Sequence, residues 1–368
     1  MASFPARRTR TTRMLAAGAV LGLAALSLSA CSGGDSGEAS ADGKVGVSLI
    51  VKTTTNPFFV SMQDGAKKAA ETDGVELKLA AGKSDGDEAT QIQAIENAIS
   101  DGDKGILITP NGPSVVDALQ KARDAGLYVI ALDTPPDPAD AADITFATDN
   151  VAAGEQIGQW TAAKLDGKKA VIALVDLFDD KLVSVDYNRD QGFLKGMGID
   201  TKDDKANGDE EKSGKYTGGK GGDYEIAGNQ ASQGAEDGGR TAMETLLTAN
   251  PDINVVYTIN EPAAAGAYEA LKSAGKEKDT LVVSIDGGCS GVSNVKEGII
   301  DATAQQYPVK MAEMGVKAIS EMAKTGEKPE TTDGLDFFNT GSKLVTEEKV
   351  SGVDSIDAAA ASKICWGK

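Results

Sequence analysis

The chain has 368 residues, 40% of them apolar, with 37 Lys and Arg against 56 Asp and Glu and no histidine. That length exceeds what one hydrophobic core serves, so two domains are expected. A surface this acidic disfavours nucleic acid and anionic lipid as partners, and the lack of histidine removes Ser-His-Asp and Cys-His catalytic units and histidine-ligated zinc.

Residues 1–30 carry Arg7, Arg8, Arg10 and Arg13, then an apolar run over 14–30. This is the order of a bacterial export signal, and Leu28-Ser29-Ala30-Cys31 resembles a lipobox, in which Cys31 becomes the lipidated N-terminus of the mature chain. An uncleaved anchor is the alternative, since the run approaches spanning length, but the cysteine stands where a lipobox needs it. Without residues 1–30 the chain keeps 33 basic and 56 acidic residues, a net charge of −23. Neutral ligands fit such a protein best, although any single acidic cluster is more simply a solubility device. Residues 31–43, rich in Ser, Gly and Asp, have nothing to bury and predict a flexible tether of roughly 20 Å. With Cys31 lipidated in an oxidising space, Cys289 and Cys365 are expected to pair, closing a long loop for a gain on the order of 4 kcal/mol.

Short apolar runs then alternate with amphipathic ones. Strands are predicted over 45–51, 75–80, 105–109 and 128–132, with helices over 58–72, 88–100 and 113–125 between them. A second series predicts strands over 169–175, 224–227, 253–259 and 281–285 and helices over 151–165, 189–198, 235–248 and 263–274. Strand, helix, strand in this order means parallel sheets with right-handed crossovers, so the fold class is α/β with two doubly wound halves. The polar run 200–223 interrupts the second half and reads as an exposed excursion. Its Asp203-Asp204-Lys205-Ala206-Asn207-Gly208 departs from a calcium loop, with lysine at the second ligand position and Gly214 at the twelfth. Gly218-Gly219-Lys220-Gly221-Gly222 lacks the strand-to-helix context of a phosphate loop. Neither a metal nor a cofactor is expected.

Ligand sites in such sheets lie off the C-terminal strand ends, and Asn56, Asp133, Asn260 and Asp286 all fall there. Asn56 and Pro57 form a helix start that turns Phe58 and Phe59 toward a cleft. Arg189 is expected to open a helix, where the helix dipole gives a cation no reason to sit, and so reads as ligand-facing. Gln306 completes the set. Aromatic faces can cover the C–H side of a sugar ring while carboxylates, amides and a guanidinium match its hydroxyls, so these residues read as a site for a small polyol. Asp133 and Asp286 could instead act as an acid–base pair on a glycosidic bond. Neither has an apolar neighbourhood in sequence to raise its pKa, so binding is favoured over catalysis and no enzyme activity is expected. Trp160 reads as packed, and Tyr187 is a further cleft candidate.

From residue 44 to about 347 the chain resembles the periplasmic sugar-binding proteins of the ribose-binding type, receptors of ATP-driven (ABC) importers. The stretches 256–266, 286–289, 305–308 and 334–338, and the tail Cys365-Trp366-Gly367, are similar to the fructose-binding branch. The resemblance implies two lobes joined by a three-segment hinge, with the ligand cleft between them. The implied lobes are 44–149 plus 307–335 and 150–306 plus 336–368. It implies sugar contacts by Asn56, Phe58, Phe59 and Asp133 from the first lobe and Arg189, Asn260 and Asp286 from the second, with Gln306 near a crossing. Two positions depart from ribose binders: Thr134 stands for an arginine and Ile285 for an aromatic. The aromatic that covers the second sugar face there has no match here. The implied ligand is a monosaccharide, fructose first and ribose, mannose or xylose after it. The implied partners are an ABC permease and its ATPase, with the protein acting as a lipid-anchored monomer. A receptor for a membrane kinase and a nucleoside-binding lipoprotein are the alternatives. A sugar-responsive transcription factor is disfavoured by the leader, which occupies the place of a DNA-binding segment.

Overall fold

The computed structural model describes residues 44–367, so the leader, Cys31 and the tether lie outside the described residues. The first half runs β1 (Val45–Val51), α1 (Pro57–Asp73), β2 (Val75–Ala81), α2 (Glu88–Ser100), β3 (Gly105–Ile108), α3 (Val116–Asp124), β4 (Tyr128–Leu132) and β5 (Ile144–Ala147). The second runs α4 (Asn150–Leu165), β6 (Ala170–Asp176), α5 (Ser184–Met197), β7 (Ser213–Tyr216), β8 (Gly222–Ala231), α6 (Glu236–Ala249), β9 (Val255–Thr258), α7 (Glu261–Ser273), β10 (Leu281–Asp286), α8 (Cys289–Glu297) and β11 (Ala302–Gln305). The chain then returns through α9 (Pro308–Thr325) and β12 (Phe338–Asn339), and ends with β13 (Lys343–Val345) and α10 (Ala358–Ala361).

Two sheets result, in the orders β12-β5-β4-β3-β1-β2 and β13-β11-β10-β9-β6-β8-β7. The first is parallel throughout; in the second only β7 and β13 run against their neighbours. Each sheet has helices on both faces, which is why its strands are apolar on both sides. In β1, Val47, Leu49 and Val51 pack toward Phe59, Met62, Met311 and Val316, while Ile50 joins Ile95, Ile106 and Leu119 on the other face. The chain passes between the sheets three times: from β5 into α4, from β11 into α9, and from β12 into β13. The expected hand-over at residue 336 comes later, because Phe338–Asn339 still pairs with Phe146–Ala147 and the Phe338 ring meets Phe146 edge-on at 5.7 Å.

Two further expectations are corrected. Arg189 does not open its helix; α5 starts five residues earlier, at Ser184. The Asp186 carboxylate in its first turn accepts from the Leu177 and Phe178 amides at 2.8 and 3.1 Å, folding the preceding loop back onto the helix start. The run 200–223 is not wholly an exposed excursion. Its second part forms the hairpin β7–β8, with Tyr216 buried and its hydroxyl donating to the Lys168 carbonyl at 2.7 Å. A lone tyrosine among Lys, Gly and Asp leaves no two-residue alternation to read.

Helices α4 and α5 touch backbone to backbone. A Cβ on Gly154 would fall on the Arg189 carbonyl and one on Gly158 on the Phe193 carbonyl, while Gly192 and Gly196 face the backbone of Val151 and Glu155. These glycines let Arg189 reach inward from mid-helix. Gly158→Val is therefore expected to lower stability by about 3 kcal/mol, because the contact is backbone and cannot swing away. A urea midpoint equal to that of the unsubstituted protein would contradict this.

Candidate functional site

The C-terminal ends of both sheets face one cleft, and the local chemistry there is set by strand ends and caps. Asn56 caps α1, its Oδ1 accepting from the Phe58 amide at 2.9 Å with Pro57 in the first helical turn. This cap brings Phe58 and Phe59 round as an edge-to-face pair with ring centroids 5.3 Å apart. Asp133 directly follows β4 and Asp286 ends β10, both at positive φ (64° and 146°). Such backbone costs about 1–3 kcal/mol per residue and persists where surroundings over-determine it. Asn260 follows β9 and caps α7 through its Oδ1, while its Nδ2 donates to the Gly234 carbonyl at 3.0 Å. Gln306 follows β11, and its Nε2 donates to Asp286 Oδ1 at 2.8 Å.

All eight residues expected from sequence line a single cavity: Asn56, Phe58, Phe59, Asp133, Arg189, Asn260, Asp286 and Gln306. The space enclosed among them in this closed form is small, about 30 Å³. Arg189 is the centre of its polar wall. Its Nε donates to Asn150 Oδ1 at 2.8 Å and its Nη1 to the Ile259 carbonyl at 2.9 Å. Its guanidinium lies 3.8 Å from Asp133 Oδ1 and 3.9 Å from Asp286 Oδ1, so it joins carboxylates from both lobes without bonding tightly to either.

Three buried oxygens on this wall accept no hydrogen bond: Asp133 Oδ1 and Asp85 Oδ1, each with a cation beyond hydrogen-bond reach, and Gln306 Oε1. Unpaired polar atoms are costly in a protein interior unless something else bonds to them. Burial raises the Asp286 pKa to about 7, with Arg189 and Gln306 opposing the shift, so its surroundings do what its sequence neighbours do not show. Beside it, burial followed by the Asp286 charge pushes Glu261 up to about 8. Glu261 accepts from the Gly287 and Gly288 amides and the Thr303 hydroxyl, which fixes the turn that presents Asp286.

Five further lining residues were not singled out from sequence. Lys52 and Asp85 form a buried pair with 3.9 Å between Nζ and Oδ1. Leu177, Val185 and Ile259 supply an aliphatic wall from the second lobe, where the family comparison offered no aromatic. Tyr187 lies off the cavity, in a neighbouring groove with Pro135 and Pro136. Trp160 is fully buried, its Nε1 donating to the Glu348 carbonyl. Cys289 and Cys365 form a disulfide with Cα atoms 5.0 Å apart. The lobes are closed on one another: the Lys181 ammonium donates to the Gly86 carbonyl at 3.2 Å, Ser184 Oγ to the Pro135 carbonyl at 2.5 Å, and Lys205 pairs with Asp137 at 2.7 Å.

The sequence signature of the periplasmic binding protein domain matches residues 47–328, most of the chain. The chain belongs to the periplasmic binding protein family. Among curated members, the ribose import binding protein of Salmonella typhimurium is 29% identical over 300 residues, spanning 81% of this chain and 91% of that one. The D-apiose import binding protein of Actinobacillus succinogenes is 30% identical over 283 residues, spanning 76% and 82%. Among solved structures, an ABC transporter solute-binding protein of Agrobacterium vitis with bound D-fucose superposes with a TM-score of 0.70 at 25% identity, covering 87% of this chain and all of that one. In such two-lobed binding proteins the cleft between the parallel sheets is where topology alone would put a ligand, and here it is lined by three buried oxygens that accept no hydrogen bond.

Proposed function

We propose that this protein is the extracytoplasmic receptor of an ABC importer and captures a neutral monosaccharide by closing its lobes around it. The observation that carries the reading is the shared cavity. Carboxylates from both lobes flank one guanidinium, and Asp133, Asp85 and Gln306, each with a buried oxygen that accepts no hydrogen bond, line the same space as Phe58 and Phe59. A polyol can donate to each of those oxygens and accept from Arg189, while its C–H face lies on phenyl and aliphatic carbon. Charged groups of both signs line the cavity, Lys52 and Arg189 against Asp85, Asp133 and Asp286, which favours an uncharged ligand.

D-Fructose heads the candidates through the resemblance of residues 256–266 and 334–338 to fructose binders, and ribose is set back by Thr134. Thr134 donates to Asp133 Oδ2 at 2.8 Å and so supports the aspartate without offering a second cation. Because Arg189 contacts groups of both lobes, a sugar bonded to it, Asp133 and Asp286 stabilises the closed state over the open one. The closed form is what the permease and its ATPase engage, no chemical step being involved. The lipobox-like segment ending at Cys31 would hold this monomer at the outer face of the membrane.

A thermal-shift panel of monosaccharides tests the reading. The correct sugar at a hundred times its Kd adds about 2.7 kcal/mol, which is expected to raise Tm by on the order of 5 °C or more. If no sugar moves Tm and a nucleoside does, the ligand class is wrong.

A further inference from the structure

The last residues of the described chain lie against both lobes. Cys365 is bonded to Cys289 at the start of α8, in the second lobe. Its neighbour Trp366 is only 8% exposed and belongs to the apolar core of the first lobe, with Phe58, Phe59 and Met62. The indole meets the Phe58 ring edge-on with centroids 5.3 Å apart. Its Nε1 donates to the Gln306 carbonyl at 2.8 Å, and its own carbonyl accepts from the Cys289 amide at 2.8 Å. Trp366 therefore touches the back of one aromatic wall of the cavity and the backbone of a polar lining residue, without lining the cavity itself.

We infer that the Cys289–Cys365 disulfide and Trp366 form a strap that positions the binding cavity, holding the Phe58 ring and the Gln306 backbone where a ligand meets them. The inference rests on the monosaccharide reading of the cavity but concerns how that cavity is set. A free C-terminal tail loses little by leaving the surface, and a single tryptophan must offset the entropy of ordering it. The covalent link to Cys289 removes most of that cost locally, because Trp366 is then one residue from a fixed point. The indole is well matched to the task. Its faces and edges pack against phenyl while its one N–H finds an acceptor, which orients the ring as well as burying it. Gln306 is thereby fixed through its carbonyl by Trp366, through its amide by the Asp286 carbonyl, and through its side chain by Asp286 Oδ1. With the strap released, Phe58 loses one of its two aromatic neighbours and Gln306 one of these three restraints.

A tail that served only as a cover for the core would change stability and leave the ligand geometry alone. Three variants of the full chain separate the two cases: Cys289→Ser with Cys365→Ser, Trp366→Ala, and Trp366→Phe. Without ligand, amide hydrogen exchange at residues 58–60 and 306–307 is expected to rise at least tenfold in the first two, while β6 and β9 keep their protection. In calorimetric titrations with D-fructose and D-ribose, the sugar that binds the unsubstituted protein is expected to bind those two variants at least tenfold more weakly. Trp366→Phe keeps the ring contact without the N–H donor and should lie between them and the unsubstituted protein; it carries the comparison if Trp366→Ala does not fold. Unchanged exchange at 58–60 and 306–307 in the released variants, or an unchanged Kd, overturns the strap. If the unsubstituted protein takes neither sugar, that counts against the ligand reading, and hydrogen exchange still decides the strap.

Discussion

Arg189→Leu is expected to destabilise the protein by about 3–5 kcal/mol and to abolish sugar binding, because it leaves Asp133 and Asp286 buried with no cation between them. Arg189→Lys separates the two effects. Lysine keeps the charge but cannot reach Asn150, the Ile259 carbonyl and both carboxylates at once, as the guanidinium does. The lysine variant should fold, yet bind sugar roughly a hundredfold more weakly, the equivalent of losing two charge-assisted bonds of about 1.5 kcal/mol each. Chemical denaturation followed by titration of the lysine variant reads both numbers. A lysine variant with undiminished affinity would remove Arg189 from the site.

Stability should fall as pH rises from 5 to 8, opposite to a protein held by surface carboxylate pairs. Beside the second sheet, Asp190 on α5 is fully buried, and no amide, hydroxyl or cation donates to either carboxyl oxygen. It faces Asp176 at the end of β6, with Glu210 and Asp186 close by, the Tyr257 hydroxyl unpaired next to them, and Lys212 as a compensating cation near Asp176. Two adjacent carboxyls can bond only if one keeps a proton. Burial is the largest cause for each: Asp176 is raised to about 6, Asp186 to about 8 and Asp190 well above its usual range. Asp286 and Glu261 behave alike in the cleft, raised to about 7 and about 8. Unfolded, all these groups titrate near pH 4. Folded, they hold protons to higher pH, so the native chain binds more protons than the unfolded one across this window, and each loses its advantage as pH climbs toward its folded pKa. Asp176 alone accounts for on the order of 3 kcal/mol between pH 4 and neutrality. Tm measured from pH 5 to 8 should decline, and Asp190→Asn should flatten the decline; a flat or rising Tm in the unsubstituted protein would refute the assignment.

The residues of the shared cavity were legible at the strand ends because a parallel sheet delivers its loops to one edge, and Asn56, Asp133, Asn260 and Asp286 each sit one to five residues past a strand core or at its last position. Most predicted strands and helices match the observed ones to within a few residues, since their apolar runs are bounded by Asn-Pro, Gly or Asp. What escaped was chemistry that sequence position disguises. Lys52 follows an apolar strand and reads as a solvated end, and only the approach of Asp85 from another loop makes it a buried pair. Leu177, Val185 and Ile259 are indistinguishable in pattern from core residues, so the aliphatic wall could not be separated from the interior. The positive φ of Asp133 and Asp286 has no signature in residue type alone. Strands β5 and β11 are four residues each with a threonine at the second position, so neither shows the unbroken apolar run by which the equally short β3 was read.

The second passage between the sheets, from β11 into α9, has a bearing on how the chain assembles. Helix α9 and strand β12 belong to the first sheet's layers yet are encoded after the whole of the second sheet's central strands. A nascent or truncated chain ending before Pro308 lacks Met311, Val316 and Ile319, and so leaves the Val47, Leu49 and Val51 face covered by α1 alone. Neither half is complete until nearly all of the polypeptide has emerged, so the docking of α9 and β12 onto the first sheet comes late in synthesis.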